Sequence, residues 1–266
     1  MEFGTRLKEW RVHRRMSQLN LSTEAGISTR HISFLETGRA RPTEGMILRL
    51  SGVLDIPARD QGQLFSAAGF RPRFATRPAG SLADLPPAVS HAIRLMLERH
   101  EPYPGFVFAH DYAILHATEA AMGFAAASGV ALAPGVNFLE LYLGHPQFKS
   151  VVVNWERTAA DLVRRVRSEA WLQGPSSALA RRIDRLASDP AVAAALQTHP
   201  ETVPIPVLPV TLKIGEAQLS FITTLTSFGS AQDALVQGIL IESFFPADEL
   251  TRAYFGSAGE PKTNRE

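Results

Sequence analysis

Cysteine is absent from the 266 residues, so this chain can build neither a disulfide framework nor a thiolate metal site. That absence suits a reducing compartment, and the cytoplasm is the expected location. No apolar run approaches the ~20 residues that a bilayer-spanning helix needs, and no signal-peptide pattern opens the chain, so no membrane partner is expected. Several catalytic signatures are also missing: the nucleophile elbow, the P-loop, the dinucleotide glycine pattern and HExxH. His145, His116 and Asp111 invite a catalytic reading, but lone histidines are more often satisfied core or surface groups, and no enzyme and no cofactor are expected. Asn20-Leu21-Ser22 matches a glycosylation sequon yet falls inside a predicted helix. Strong net charge is lacking too, at +1 overall, but the charge is unevenly spread. Met1–Arg73 holds 12 Lys/Arg against 7 Asp/Glu, and the remainder holds 15 against 19. A basic head on an acidic body is expected where only the head meets a polyanion.

What is present is clearest in Ser17–Pro42, SQLNLSTEAGISTRHISFLETGRARP. Ser17 can cap a short helix in which Leu21 and Ala25 fall four apart on one face. Gly26 permits a sharp turn with positive φ, and Ile27 plugs the joint. Ser28 can cap a second helix with Ile32 and Leu35 as its buried stripe, and Gly38 can close it in the left-handed conformation. Two short helices joined by a glycine turn, the second with an open polar face, make a helix-turn-helix. That face carries Thr29, Arg30, Ser33 and Thr37, the hydroxyls and guanidinium that base edges and phosphates require. Arg30 can take a guanine by two parallel hydrogen bonds, or a phosphate. Gln18 and Ser28 sit at helix starts, and Arg39 and Arg41 in the following loop, all suited to backbone phosphate. The stretches Ser17-Gln18-Leu19, Ala25-Gly26-Ile27-Ser28, Arg30-His31-Ile32-Ser33 and Leu35-Glu36-Thr37-Gly38-Arg39, then Pro42, closely resemble the Xre-type, lambda-repressor-like helix-turn-helix family. The resemblance implies an all-α domain of five helices that docks its third helix in DNA.

The rest of the chain divides by composition. The head is expected over 1–70, with flanking helices at Glu2–Arg15, Thr43–Leu54 and Arg59–Ala68. Residues 71–87, rich in Pro, Gly, Ala and Arg, read as a partly extended linker. The body is expected over 88–255, with a disordered tail at 256–266. Ala88–Glu101 predicts a helix with Val89, Ile93 and Leu97 on one face, placed to join the domains or support a dimer contact. Gly105–Ala109 and Tyr112–Ala117 read as a hairpin. Helices follow at Thr118–Ala127, Gly135–Leu143, Trp155–Trp171, Ser176–Ala187 and Pro190–Leu196. Pro206–Ile214, Gln218–Phe228 and Gly238–Phe245 are strongly β in texture. Two strands, helices, then three strands predict an α+β, PAS-like domain with a five-stranded antiparallel sheet, able to leave a cavity under its helices.

A second resemblance rests on Glu101-Pro102-Tyr103-Pro104, Val152-Val153-Asn154-Trp155-Glu156, Leu208-Pro209-Val210, Thr223-Thr224 through Ser227-Phe228-Gly229, and Ile241-Glu242-Ser243-Phe244-Phe245-Pro246. These segments look like the ligand-binding domain of MmyB-like transcription regulators, in which an Xre-type head precedes a PAS-like body. The resemblance implies a bacterial regulator whose body holds a small, largely apolar molecule of fatty acid-like type. In that family an asparagine is usual near Thr118 and Glu119 and an arginine near Glu140, so ligand preference can differ here. Candidate lining residues are Phe108, Ile114, Phe124, Phe138, Trp155, Val163, Phe221, Leu225 and Ile241. Tyr142, Arg164, Arg167 and Thr223 are candidates for a polar head group. The chain is thus expected to be a sequence-specific regulator acting on double-stranded DNA, reading a near-palindromic operator as a homodimer under control of a ligand. Two alternatives stand beside this: a constitutive DNA binder whose body only dimerises, and an enzyme with an autoregulatory head.

Overall fold

In the computed structural model, which describes residues 2–72, 79–174, 177–200, 209–228 and 235–258, the chain opens with five helices. They are α1 (Glu2–His13), α2 (Gln18–Ala25), α3 (Thr29–Glu36), α4 (Glu44–Val53) and α5 (Ala58–Ala67). The expected caps are in place. Ser17 accepts from the Asn20 amide and Ser28 from the His31 amide, while Thr43 serves Met46 in the same way. Gly26 and Gly38 turn the chain at φ +61° and +73°, where a Cβ would be strained. Leu7, Leu21, Ile32, Leu35, Leu50 and Phe65 are at most 1% exposed and share one core. Each such side chain withdrawn from water contributes ~1.5–3 kcal/mol, which is what holds helices too short to be stable alone.

Two close contacts complete this unit. A Cβ on Gly4 would lie 2.4 Å from the Leu35 carbonyl oxygen and 2.5 Å from that of Glu36, so only glycine lets α1 lie against the end of α3. α5 begins after Pro57 with no side-chain cap of its own, and the Ala58 amide donates to Gln237 Oε1 at 2.8 Å. The compact unit accordingly comprises Met1–Pro78 together with Ser168–Ala180 and Gly229–Gln237.

The second unit comprises Ala79–Arg167, Arg181–Phe228 and Gly238–Glu266. It starts with a 3-10 turn, Leu82–Asp84, closed by a Ser81–Asp84 capping box. Then come α6 (Pro87–His100), β1 (Gly105–Phe108), β2 (Ile114–Ala117), α7 (Glu119–Ala127), a π-helical turn at Glu140–Gly144 and α8 (Pro146–Val151). They are followed by α9 (Trp155–Leu172), α10 (Ala178–Ala187), α11 (Pro190–Thr198), β3 (Val210–Ile214), β4 (Ala217–Ser227), β5 (Leu240–Pro246) and α12 (Glu249–Ala258). The strands form one antiparallel sheet in the order β2-β1-β5-β4-β3. This is the PAS-like arrangement the strand pattern predicts, with the helices inserted between β2 and β3.

Several local expectations need correction. Gly135–Asn137 is not helical: Gly135 sits at φ +87° and its amide donates to the Ile114 carbonyl, while Asn137 bridges Ala113. Asn137 Oδ1 then accepts from the Leu139 amide, so the helical turn starts only after it. α12 is an element beyond those expected from the sequence, and Asp248 caps it by accepting from the Thr251 amide at 2.8 Å. Part of the expected linker, residues 73–78, lies outside the described residues, as do 206–208 of the third predicted strand and most of the expected tail.

Ladder partners share a face. The register pairs Phe106 with Glu242, Thr223 with Phe244, Leu225 with Glu242, and Val210 with Phe221. One face therefore carries Phe106, Phe221, Glu242 and Phe244. The other carries Val107, Ile241, Thr224 and Thr226. Val107 and Ile241 are also buried, at 0% and 1% exposure, so the centre of the sheet is covered on both sides. That double cover explains the nearly unbroken apolar texture of β5. The threonines of β4 lie at the uncovered end.

Candidate functional site

The first candidate surface is α3. Its buried stripe, Ile32 and Leu35, leaves the opposite side outward, where Arg30 and Thr37 are exposed and Thr29 and Ser33 half-buried. The Arg30 guanidinium rests over the Phe34 ring at 5.2 Å, a cation–π contact that leaves its donors open to solvent. Thr29 Oγ1 and Ser22 Oγ share a hydrogen bond of 2.9 Å, and Thr37 Oγ1 donates to the Ser33 carbonyl at 2.8 Å. Ser28 is exposed and committed to its cap, and Arg39 and Arg41 are exposed in the loop that follows. Arg30, Arg39 and Arg41 thus offer three solvent-facing cations on and just after α3.

Gln18 has a partner that sequence reasoning did not foresee. Its amide donates to Glu36 Oε2 at 2.8 Å, and Glu36 also receives Arg11 through two bonds of 2.6 and 3.0 Å. Arg11 donates a further bond to the Met16 carbonyl at 2.8 Å. The hydrogen bond to Glu36 holds the Arg11 guanidinium pKa above its ordinary value against the opposing effect of burial. This network locks α1, the start of α2 and the end of α3 into one orientation. The sequence offers no periodic or spacing signal for it, since its members lie 25 and 18 residues apart.

The second candidate is a cavity of about 50 Å³ within the second unit, lined by Phe106, Phe124, Phe138, Tyr142, Phe148 and Phe244 with aliphatic neighbours such as Leu132, Val151 and Leu212. Aromatic packing shapes it, with Phe138 centred 5.6 Å from Phe106 and 5.5 Å from Tyr142. Its two hydroxyls are committed: Ser128 donates to the Phe124 carbonyl and Tyr142 to Thr158 Oγ1 at 2.6 Å. Burial pushes the Tyr142 phenol well above its usual pKa, more than the Thr158 hydrogen bond lowers it.

Of the residues expected at such a cavity, Phe124, Phe138 and Tyr142 are in its wall. Phe108 and Phe221 pack behind it, 5.0 Å from Phe138 and 5.8 Å from Phe244. Ile114, Trp155 and Val163 are buried core rather than wall, and Thr223 and Leu225 are half-buried on the cavity face of β4. Ile241 belongs to the opposite face of the sheet, because strand side chains alternate. Arg164 and Arg167 are also displaced from the expected role. Arg164 pairs with Asp161 and donates to the His199 carbonyl, and Arg167 meets Asp184 at 3.3 Å. The arginine of α9 that approaches the cavity face is Arg165, 3.8 Å from the buried carboxylate of Glu242. Helical spacing places it at the flank of the Leu162–Val166 stripe, so it was legible only as a border position.

Of the residues that invited a catalytic reading, Asp111 is engaged by an arginine, while the His145 Nδ1 is buried without a hydrogen-bond partner among the described residues. Asp111 pairs with Arg182 at 3.3 Å, and His116 is exposed on β2 with its pKa lowered by partial desolvation and by the nearby charge of Arg94. Among the described residues no group of three or more His, Asp or Glu is placed to hold a metal, and no helix is long and apolar enough to cross a membrane.

Comparison with protein families matches residues 89–256 to a model described as the MmyB-like transcription regulator ligand binding domain, and residues 7–61 to a helix-turn-helix model. Comparison with curated proteins gives no match.

Proposed function

Because this chain belongs to the family of MmyB-like transcription regulators, a DNA-binding helix-turn-helix followed by a ligand-binding domain, we propose that it reads a near-palindromic operator as a homodimer and that a small apolar or fatty acid-like ligand in its cavity alters that reading. The observation that carries the DNA side is the division of α3, with Ile32 and Leu35 fully buried and Arg30, Thr37 and the Arg39–Arg41 loop open to solvent. Thr29, Arg30 and Ser33 face base edges in the major groove, and Gln18, Ser28, Thr37, Arg39 and Arg41 meet phosphates beside it. The aromatic, nearly uncharged lining of the cavity supports an apolar ligand.

The cavity is smaller than any such ligand. At about 50 Å³ it has a third of the ~150 Å³ that holds one benzene. A ligand therefore enters by displacing lining side chains, which gives it the differential affinity for two arrangements that any effector needs. The same small volume favours a second reading, in which the body stays empty and serves dimerisation alone. Glu140, where the family resemblance has an arginine, pairs with Arg182 at 3.5 Å and with Arg185, so that position supplies a carboxylate rather than a cation, and the charged side chain in the cavity lining is Lys213.

Operator binding by Arg30→Ala, measured against salt, tests the DNA side. Loss of one base contact is expected to weaken specific binding about 5- to 150-fold, from ~1–3 kcal/mol, with relaxed preference at one base pair. Unchanged affinity and preference would remove Arg30 from the interface. Native mass spectrometry of protein taken from cells tests the ligand: a bound small molecule supports the sensor, and a clean apo dimer supports the second reading.

A further inference from the structure

α9 is one unbroken helix of 18 residues, about 27 Å long at 1.5 Å per residue. Its first turn is fastened to a wall of the cavity. Trp155 Nε1 donates to the Tyr142 carbonyl at 2.8 Å, and Thr158 Oγ1 accepts from the Tyr142 hydroxyl at 2.6 Å. Its last residues belong to the compact unit that holds α1–α5. There the Trp171 carbonyl lies 2.6 Å from His13 Nε2, and the two rings are centred 4.8 Å apart. The Arg14 guanidinium is 5.4 Å from the Trp10 ring and 5.4 Å from the Trp171 ring. Just beyond the helix, Gly174 sits at φ +97°, and a Cβ there would fall 2.2 Å from Cη2 of Trp10. The indole of Trp10 thus occupies the place where any other residue would put a side chain. Trp10 is followed in α1 by Arg11, whose guanidinium grips Glu36 at the end of α3.

We infer that α9 couples the cavity to the reading helix, with Tyr142 and Thr158 at the receiving end and Trp171 and Gly174 as positioning residues on α1. The inference rests on the reading of the cavity as a ligand site. A ligand too large for the cavity displaces its wall, and Tyr142 moves with α9 because two hydrogen bonds join them. A continuous helix carries that displacement without absorbing it, since every backbone bond along it resists bending. At the other end the indole of Trp10 has no slack against Gly174, so a shift of α9 loads α1. The Arg11–Glu36 pair passes it to α3. Each link is a packed or hydrogen-bonded contact, the kind of element through which two sites acquire a coupling free energy.

The test uses the full chain, an operator duplex selected by the wild-type protein from random DNA, and dodecanoic acid as the probe. Operator affinity is read with and without the acid, and binding of the acid is read separately by calorimetry. Wild type is expected to bind the acid and to change operator affinity by about 5- to 150-fold. Trp171→Ala and Thr158→Val are expected to bind the acid still, with the change in operator affinity falling toward onefold, while Trp171→Phe retains most of it. Trp171 is 48% exposed, so its truncation opens no cavity in the core. Variants that keep the full wild-type response overturn the inference and leave the ligand reading standing. A wild-type chain that binds the acid without any change at the operator overturns the inference and the modulation together. A wild-type chain that binds no acid and responds to none overturns the reading on which both stand.

Discussion

Glu36 shows how one residue carries more than its own charge. Its side chain is 3% exposed and satisfied by Arg11 and Gln18. Glu36→Ala leaves a nearly buried guanidinium without its partner, and the expected loss is ~3–5 kcal/mol, read as a lower midpoint in urea unfolding. Glu36→Gln keeps the shape and part of the bonding and is expected to lose less. Tyr142 gives a prediction in pH. Its folded pKa is raised above the unfolded value of 10.0 by burial. Stability from the neutral phenol is fully present below pH ~10 and is lost as pH rises from there toward the folded pKa. Tyr142→Phe has no such proton to lose, so its unfolding free energy should fall less steeply with pH in that alkaline window. At neutral pH it should be lower than wild type by ~1 kcal/mol for the missing hydrogen bond to Thr158.

The elements divide by how local their causes are. α2 and α3 are legible from Ser17, Gly26, Ser28 and Gly38 because capping and left-handed turns are settled within a few residues. Ser28→Ala is accordingly expected to cost ~1 kcal/mol in unfolding experiments and to weaken operator binding, since it frays the turn that carries Thr29 and Arg30. β4 and β5 are legible as strands, but their register is not. Nothing in ITTLTS says that Thr223 meets Phe244, or that Glu242 shares a face with Phe106. Of the four expected polar handles of the cavity, Tyr142 is in its wall, whereas Arg164 and Arg167 lie on other faces of α9, which turns Arg165 toward the sheet. Gly4 was passed over for the same reason: its need for glycine comes from α3, some thirty residues on, and not from its own helix. The start of α12 is marked locally by Pro246, the cap Asp248 and the acidic Glu249 of its first turn.

At the scale of the molecule, the asymmetry of charge has a measurable consequence. Each phosphate neutralised by the basic head contributes about −0.9 to the slope of log affinity against log salt. Removing Arg39 and Arg41 together should make that slope shallower by about 2 for each head bound, with base preference retained; an unchanged slope would place both away from the backbone. The order of the chain has another consequence. The compact unit that presents α3 is assembled from three separated stretches, and the amide at the start of α5 waits for Gln237. A ribosome delivers residue 237 only long after the five helices of the head have been translated. A nascent chain therefore carries α1–α5 with the Ala58 amide still open to water until Gln237 arrives to accept from it.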